Sequence, residues 1–150
     1  MSQAVVPRER LIGTWRLKSW VVREDGGRET RPLGDAPEGL LTYTADGYMF
    51  ALLMAPGRKP HAKDDPMGGT PAEAQASMAG FHSYSGRYRL EANEPVVVHS
   101  VELALLPNMI GTEQRRFYRF EGERRVVLRT PPITRKGAYG VAELVWEKQS

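Results

Sequence analysis

In the stretch VVVHSVELALLPN, residues 96–108, a histidine and a glutamate interrupt an apolar, β-branched run. Strand side chains alternate between faces, so His99 travels with Val97, Val101, Leu103 and Leu105, and Glu102 with Val98, Ser100, Ala104 and Leu106. An ionisable group on a greasy face is paired, neutralised, at an edge, or placed to meet a ligand. Burial would lower the pKa of His99 and leave a neutral imidazole fit for general-base work. The expected partner of Glu102 is Arg116 on the following strand, either as a structural ion pair or as an oriented pair that polarises a carbonyl or enolate. Strand parity keeps His99 and Glu102 out of one cavity unless a bulge intervenes.

Two neighbouring stretches could supply the rest of a site. In HSYSGRYRL, His82, Tyr84, Tyr88 and Leu90 share a face, with Gly86 leaving room beside the strand. In EQRRFYRF, Gln114, Arg116, Tyr118 and Phe120 mix hydrogen-bonding groups with aromatic walls. Such a lining suits an oxygenated, largely apolar ligand, the plain alternative being a filled core with its tyrosine hydroxyls tied to backbone carbonyls. The expected catalytic set is His99, Glu102, Arg116 and Tyr84. His82, Tyr88, Gln114 and Tyr118 are expected to contact the ligand, joined by Tyr43 and Met49 from an upstream hairpin and by Trp15 and Trp146 from the terminal strands.

Other chemistry finds little support. There is no cysteine, hence no disulfide or thiolate site. His61, His82 and His99 show no HxH or HExxH spacing, and no metal is expected. No GxSxG elbow occurs, and Gly68-Gly69 precedes a helix without the frame of a phosphate-binding loop, so no cofactor is expected either. The charge of +3, from 21 basic and 18 acidic residues, is spread through apolar strands in GERRVVLR and its neighbours, which argues against nucleic acid. No apolar run approaches the ~20 residues of a membrane-crossing helix, and the opening MSQAVVPRERLIGTW lacks a secretory pattern; a cytoplasmic protein is expected.

The elements that must position these groups are short and mostly period-two. At 150 residues, with 41% hydrophobic and 26% charged, the chain has the size and balance of one globular domain, expected over residues 1–150. LIGTWRLKSWVVRE reads as a long strand with Trp15, Leu17, Ser19 and Val21 on one face; Asp25-Gly26-Gly27 and Asp46-Gly47 mark tight hairpins. Residues 57–69, GRKPHAKDDPMGG, read as a mobile loop and, with the helix that follows, as a candidate lid. Thr70-Pro71-Ala72-Glu73 is a capping box opening a helix of about Pro71 to Ala79, stopped by Gly80. Five more strand patterns follow, the last two separated by a loop running from Pro131-Pro132 to Gly137. The expected fold is all-β, a closed antiparallel barrel of eight to nine strands with one short helix; a two-sheet sandwich is the alternative.

The ordered signals LIGTWRL, PLGDAPEGLLTYTADGYM, YSGRY, HSVELALLPNMIGTEQRRF, LRTPP and ELVWE run nearly end to end, and with them the chain resembles the bacterial lipocalin-like domain family. The resemblance implies a calycin-like barrel around a cavity for a hydrophobic small molecule, with Trp15 closing one end. Barrels of this kind include plain ligand carriers and also isomerases or cyclases of natural-product intermediates. The expected function is accordingly a lipocalin-like barrel acting on a hydrophobic, oxygenated ligand as a cofactor-independent isomerase, cyclase or dehydratase of secondary metabolism. A carrier or sensor is the alternative. One feature departs from an alternating strand: Tyr48, Phe50, Leu52 and Met54 make a second apolar face, which points to a homodimer or a covered sheet surface.

Overall fold

The computed structural model describes residues 4–135 and 138–149, apart from the side chains of Arg135 and Ala138. Its first strand, β1 (Gly13–Glu24), turns through Asp25-Gly26-Gly27 into the two-residue β2 (Glu29–Thr30), both glycines holding positive φ as such a turn requires. The β3 strand (Glu38–Tyr43) and β4 (Tyr48–Met54) form the hairpin around Asp46-Gly47, where Gly47 has φ 98°. After the helix α1 (Pro71–Ala79) come β5 (Phe81–Leu90), β6 (Val96–Ala104), β7 (Glu113–Phe120), β8 (Arg125–Arg129), β9 (Ile133–Arg135) and β10 (Ala138–Lys148).

Eight of these strands close a barrel. The order β1-β3-β4-β5-β6-β7-β8-β10 is antiparallel throughout, and β10 returns to pair with β1, with Trp15 opposite Lys148 and Glu24 opposite Gly140. The short β2 and β9 extend the edges of β1 and β10. Closure removes the exposed edges that an open antiparallel sheet would carry. The β9 strand occupies part of what the sequence suggests is a plain loop after Pro132; Gly137, the expected end of that loop, lies outside the described residues.

Two irregularities decide which side chains face inward. In β1 the register slips between Leu17 and Ser19, so Trp15 and Leu17 point into the barrel and, past the slip, Trp20 and Val22 do. Simple alternation puts Trp20 on the outside. In β6 the pairing with β5 skips from Val101, opposite Gly86, to Leu103, opposite Ser85, leaving Glu102 as the extra residue of a bulge. A Cβ on Gly86 would stand 1.9 Å from the carbonyl oxygen of Ser100, so only glycine admits this crossing. Leu103, expected on the His99 face, is 69% exposed as a result.

The helix behaves as its capping box dictates. Thr70 Oγ1 accepts from the Glu73 amide at 3.2 Å and Glu73 Oε1 from the Thr70 amide at 2.8 Å. Glu73 also accepts from Ala62 N at 2.8 Å, while Arg58 donates to the Ser77 carbonyl and His61 Nε2 lies 2.8 Å from Ser77 Oγ. The loop expected to be mobile is therefore fastened to the helix with which it is expected to form a lid. No helix residue is buried, and none of residues 57–79 lines the barrel cavity.

Candidate functional site

The barrel is filled at one end and hollow at the other. Around Trp15, the side chains of Leu11, Tyr43, Met49, Tyr88, Val97, Tyr118 and Val126 are packed nearly free of solvent. Trp15 donates from Nε1 to the Leu11 carbonyl at 2.9 Å and packs 6.3 Å from Phe120. Beyond this plug lies a cavity of about 410 Å³, a size suited to a compact small molecule. Its apolar wall includes Leu41, Ala51, Leu53, Leu128, Leu144 and Trp146. Its polar part is made by His82, Tyr84, His99 and Arg116, with Thr130 on the side of β8.

His99 organises the polar end. It is 1% exposed, and each ring nitrogen meets a tyrosine: Nε2 lies 2.7 Å from the Tyr43 hydroxyl and Nδ1 2.7 Å from the Tyr84 hydroxyl. Burial first, and the Arg116 charge second, push the His99 pKa well below the ordinary imidazole value. The ring is therefore neutral near pH 7, with one N–H to donate and one lone pair to accept with. One tyrosine receives a hydrogen bond from the ring and the other gives it one.

Burial raises Tyr43 well above the ordinary phenol value and raises Tyr84 as well, in both cases against a lowering pull from Arg116. His82 is lowered, by burial and then by the same guanidinium. A single cation thus acts on all four titratable neighbours. Arg116 donates from one guanidinium nitrogen to the Arg115 carbonyl at 2.9 Å, and no ion pair involves it among the described residues.

The sequence-derived site divides accordingly. His82, Tyr84, His99, Arg116 and Trp146 meet in the cavity wall. Glu102 does not join them: strand parity sets it opposite the inward His99, on the exposed surface, and the expected pair with Arg116 does not form. Met49, Tyr88 and Tyr118 are inward but belong to the plug. Tyr88 donates to the Thr44 carbonyl at 2.7 Å, and the Tyr118 hydroxyl accepts from Val6 N at 3.2 Å. Gln114 donates to Thr112 Oγ1 at 2.9 Å and is not in the lining; Trp15 and Tyr43 stand behind it. The filled-core alternative therefore describes one half of the barrel.

Trp20 is the cavity-lining residue that alternation misses. Its indole lies 6.2 Å from the His82 ring and lines the cavity, and its Nε1 is buried without an acceptor among the described residues, as is that of Trp146. The signal in the sequence is faint: a tryptophan followed by two valines on a strand that otherwise alternates charge with apolar residues.

Comparison with known proteins adds three findings. A family model described as a lipocalin-like domain matches residues 12–149. The 4'-hydroxy-3'-methoxypropiophenone carrier protein ppsC of Aspergillus oryzae is 30% identical over 106 residues, which cover 67% of this chain and 96% of that protein. Among solved structures, a redesigned β-barrel aligns over 99% of this chain and 100% of its own, at 9% identity and a TM-score of 0.46.

Proposed function

We propose, from the premise that this chain belongs to the lipocalin-like domain family, that it binds one compact, hydrophobic, oxygen-bearing molecule inside the barrel and carries it. The observation that supports this reading is the cavity of about 410 Å³, apolar over most of its wall and polar chiefly around His82, Tyr84, His99 and Arg116. An apolar body would occupy the space between Leu53, Leu128 and Trp146, its oxygen turned to the polar end. A relative named as a carrier of an aryl ketone supports the ligand class.

The test is calorimetric titration with flat aryl ketones, 4'-hydroxy-3'-methoxypropiophenone among them. Saturable 1:1 binding in the wild type, lost in Ala142→Leu, which adds bulk to a buried cavity-wall position, is the expected result. Failure of every ketone to bind, or equal binding by the filled variant, overturns it.

A second reading, catalysis without a cofactor of the isomerase, cyclase or dehydratase type, draws support from the Tyr84–His99 contact. With both ring nitrogens occupied, His99 does not reach a ligand directly, but Tyr84 bridges it to the cavity. In the tautomer in which Nδ1 accepts, a ligand C–H or O–H proton passes to the Tyr84 oxygen as the Tyr84 proton passes to Nδ1. Arg116 stabilises the resulting oxyanion, and return of the proton at another atom completes an isomerisation. Exchange of the ketone's α-protons with D2O, fast in the wild type and lost in Tyr84→Phe at ketone concentrations that saturate the variant, separates catalysis from carriage.

Two further features complete the proposal. Phe50 and Leu52 are 45% and 47% exposed, flanked by Tyr48, Met54 and Leu40, and this outer face supports self-association into a homodimer. A sequence without cysteine supports a reducing, cytoplasmic setting.

A further inference from the structure

We propose that the molecule held in the cavity carries an anionic oxygen, seated against Arg116. This deepens the binding reading above and rests on it.

Arg116 differs from the arginines around it. Arg115 pairs with Glu91 and Glu94, Arg119 with Glu121, and Arg89 with Glu113 across the strands. These pairs lie on the outside of the barrel. Arg116 alternates inward between them, lines the cavity, and has no carboxylate partner among the described residues. No aspartate or glutamate is among the residues lining the cavity. Its only fixed charge is positive.

Trp146 is 2% exposed and Trp20 half-buried, and both indoles line the apolar wall around the cavity. A neutral ketone oxygen satisfies one or two donors and leaves the guanidinium without a counter-charge. A carboxylate, or the conjugate base of an acidic phenol or enol, supplies both the lone pairs and the charge. The apolar wall then serves the ligand's body, and low water content strengthens the charge contact.

The carboxylate and phenolate sources of the same anionic oxygen are separated with four probes. 2-Naphthoate is titrated against 2-naphthamide, and 4-nitrophenolate against 4-nitroanisole, each pair matched in size and differing in charge, with quenching of tryptophan fluorescence as the readout. The wild type is expected to favour at least one anion over its neutral counterpart by roughly tenfold or more. The pair that shows the preference identifies the oxygen as carboxylate or phenolate. Arg116→Gln is expected to bring that ratio near one, and Arg116→Lys to keep part of the preference. The wild-type ratios decide the matter even if a variant fails to fold. Equal or tighter binding of both neutral probes overturns the anionic oxygen and leaves cavity binding standing. Binding of none of the four overturns this inference and counts against the cavity reading itself.

Discussion

The hydroxyl of Tyr84 stands 2.7 Å from Nδ1 of His99, and this contact joins the cavity surface to a buried neutral ring. Behind the ring, Tyr43 holds Nε2 at the same distance without lining the cavity. The two tyrosines therefore do the same structural work but face different surroundings. Tyr84→Phe and Tyr43→Phe should each cost about 1–2 kcal/mol of stability by stripping a partner from a buried ring nitrogen. Only Tyr84→Phe should also change ligand affinity. Urea denaturation and ligand titration on both variants check the split.

Stability should fall as the pH drops below about 6.5. His99 is held neutral in the fold, burial keeping its pKa well below the ordinary imidazole value, and His82 is lowered too. The unfolded chain then binds more protons than the folded one just below pH 6.5. Their contribution is fully present above that value and is lost on acidification at up to about 1.4 kcal/mol per pH unit for each group. Denaturation midpoints between pH 7.5 and 5 should show this slope, and His99→Gln should flatten it.

Gly86→Ala should prevent the β5–β6 bulge. The added Cβ would meet the Ser100 carbonyl oxygen at 1.9 Å and the Glu102 amide at 3.0 Å, both backbone atoms in a closed barrel. A loss of more than about 3 kcal/mol is expected, beyond the ordinary range for a point substitution. Retention of the wild-type melting temperature would show that the strands can re-pair without the bulge.

The outer face of β4 should govern association. Phe50→Ser with Leu52→Ser removes two half-exposed apolar side chains from a stripe that continues to Leu103, across β5. Sedimentation velocity should show a dimer for the wild type and a monomer for the double variant, with ligand affinity unchanged.

The turns, the helix and the barrel were legible because each is set by local chemistry. Asp46-Gly47 needs its positive φ, Thr70 and Glu73 satisfy each other's amides, and period-two strands must hide their edges. The bulges were not, since they are decided by backbone crossings between strands. They account for the two clearest differences: Trp20 enters the cavity, and Leu103 leaves the His99 face. Depth along the barrel axis was equally hidden. Alternation gives the face of Met49, Tyr88 and Tyr118 but not whether that face borders the plug or the hollow. Their hydroxyl and backbone partners, scattered from Val6 to Thr44, could only be read from the closed chain.

The three tryptophan indoles give the most direct test of the hollow barrel. Trp20 and Trp146 line the cavity, whereas the Trp15 N–H is committed to the Leu11 carbonyl within the plug. In a ¹⁵N-resolved spectrum titrated with 2-naphthoate, the indole signals of Trp20 and Trp146 should shift and saturate together while that of Trp15 stays in place. Saturable binding that leaves Trp20 and Trp146 unmoved would place the ligand outside the barrel and contradict the account.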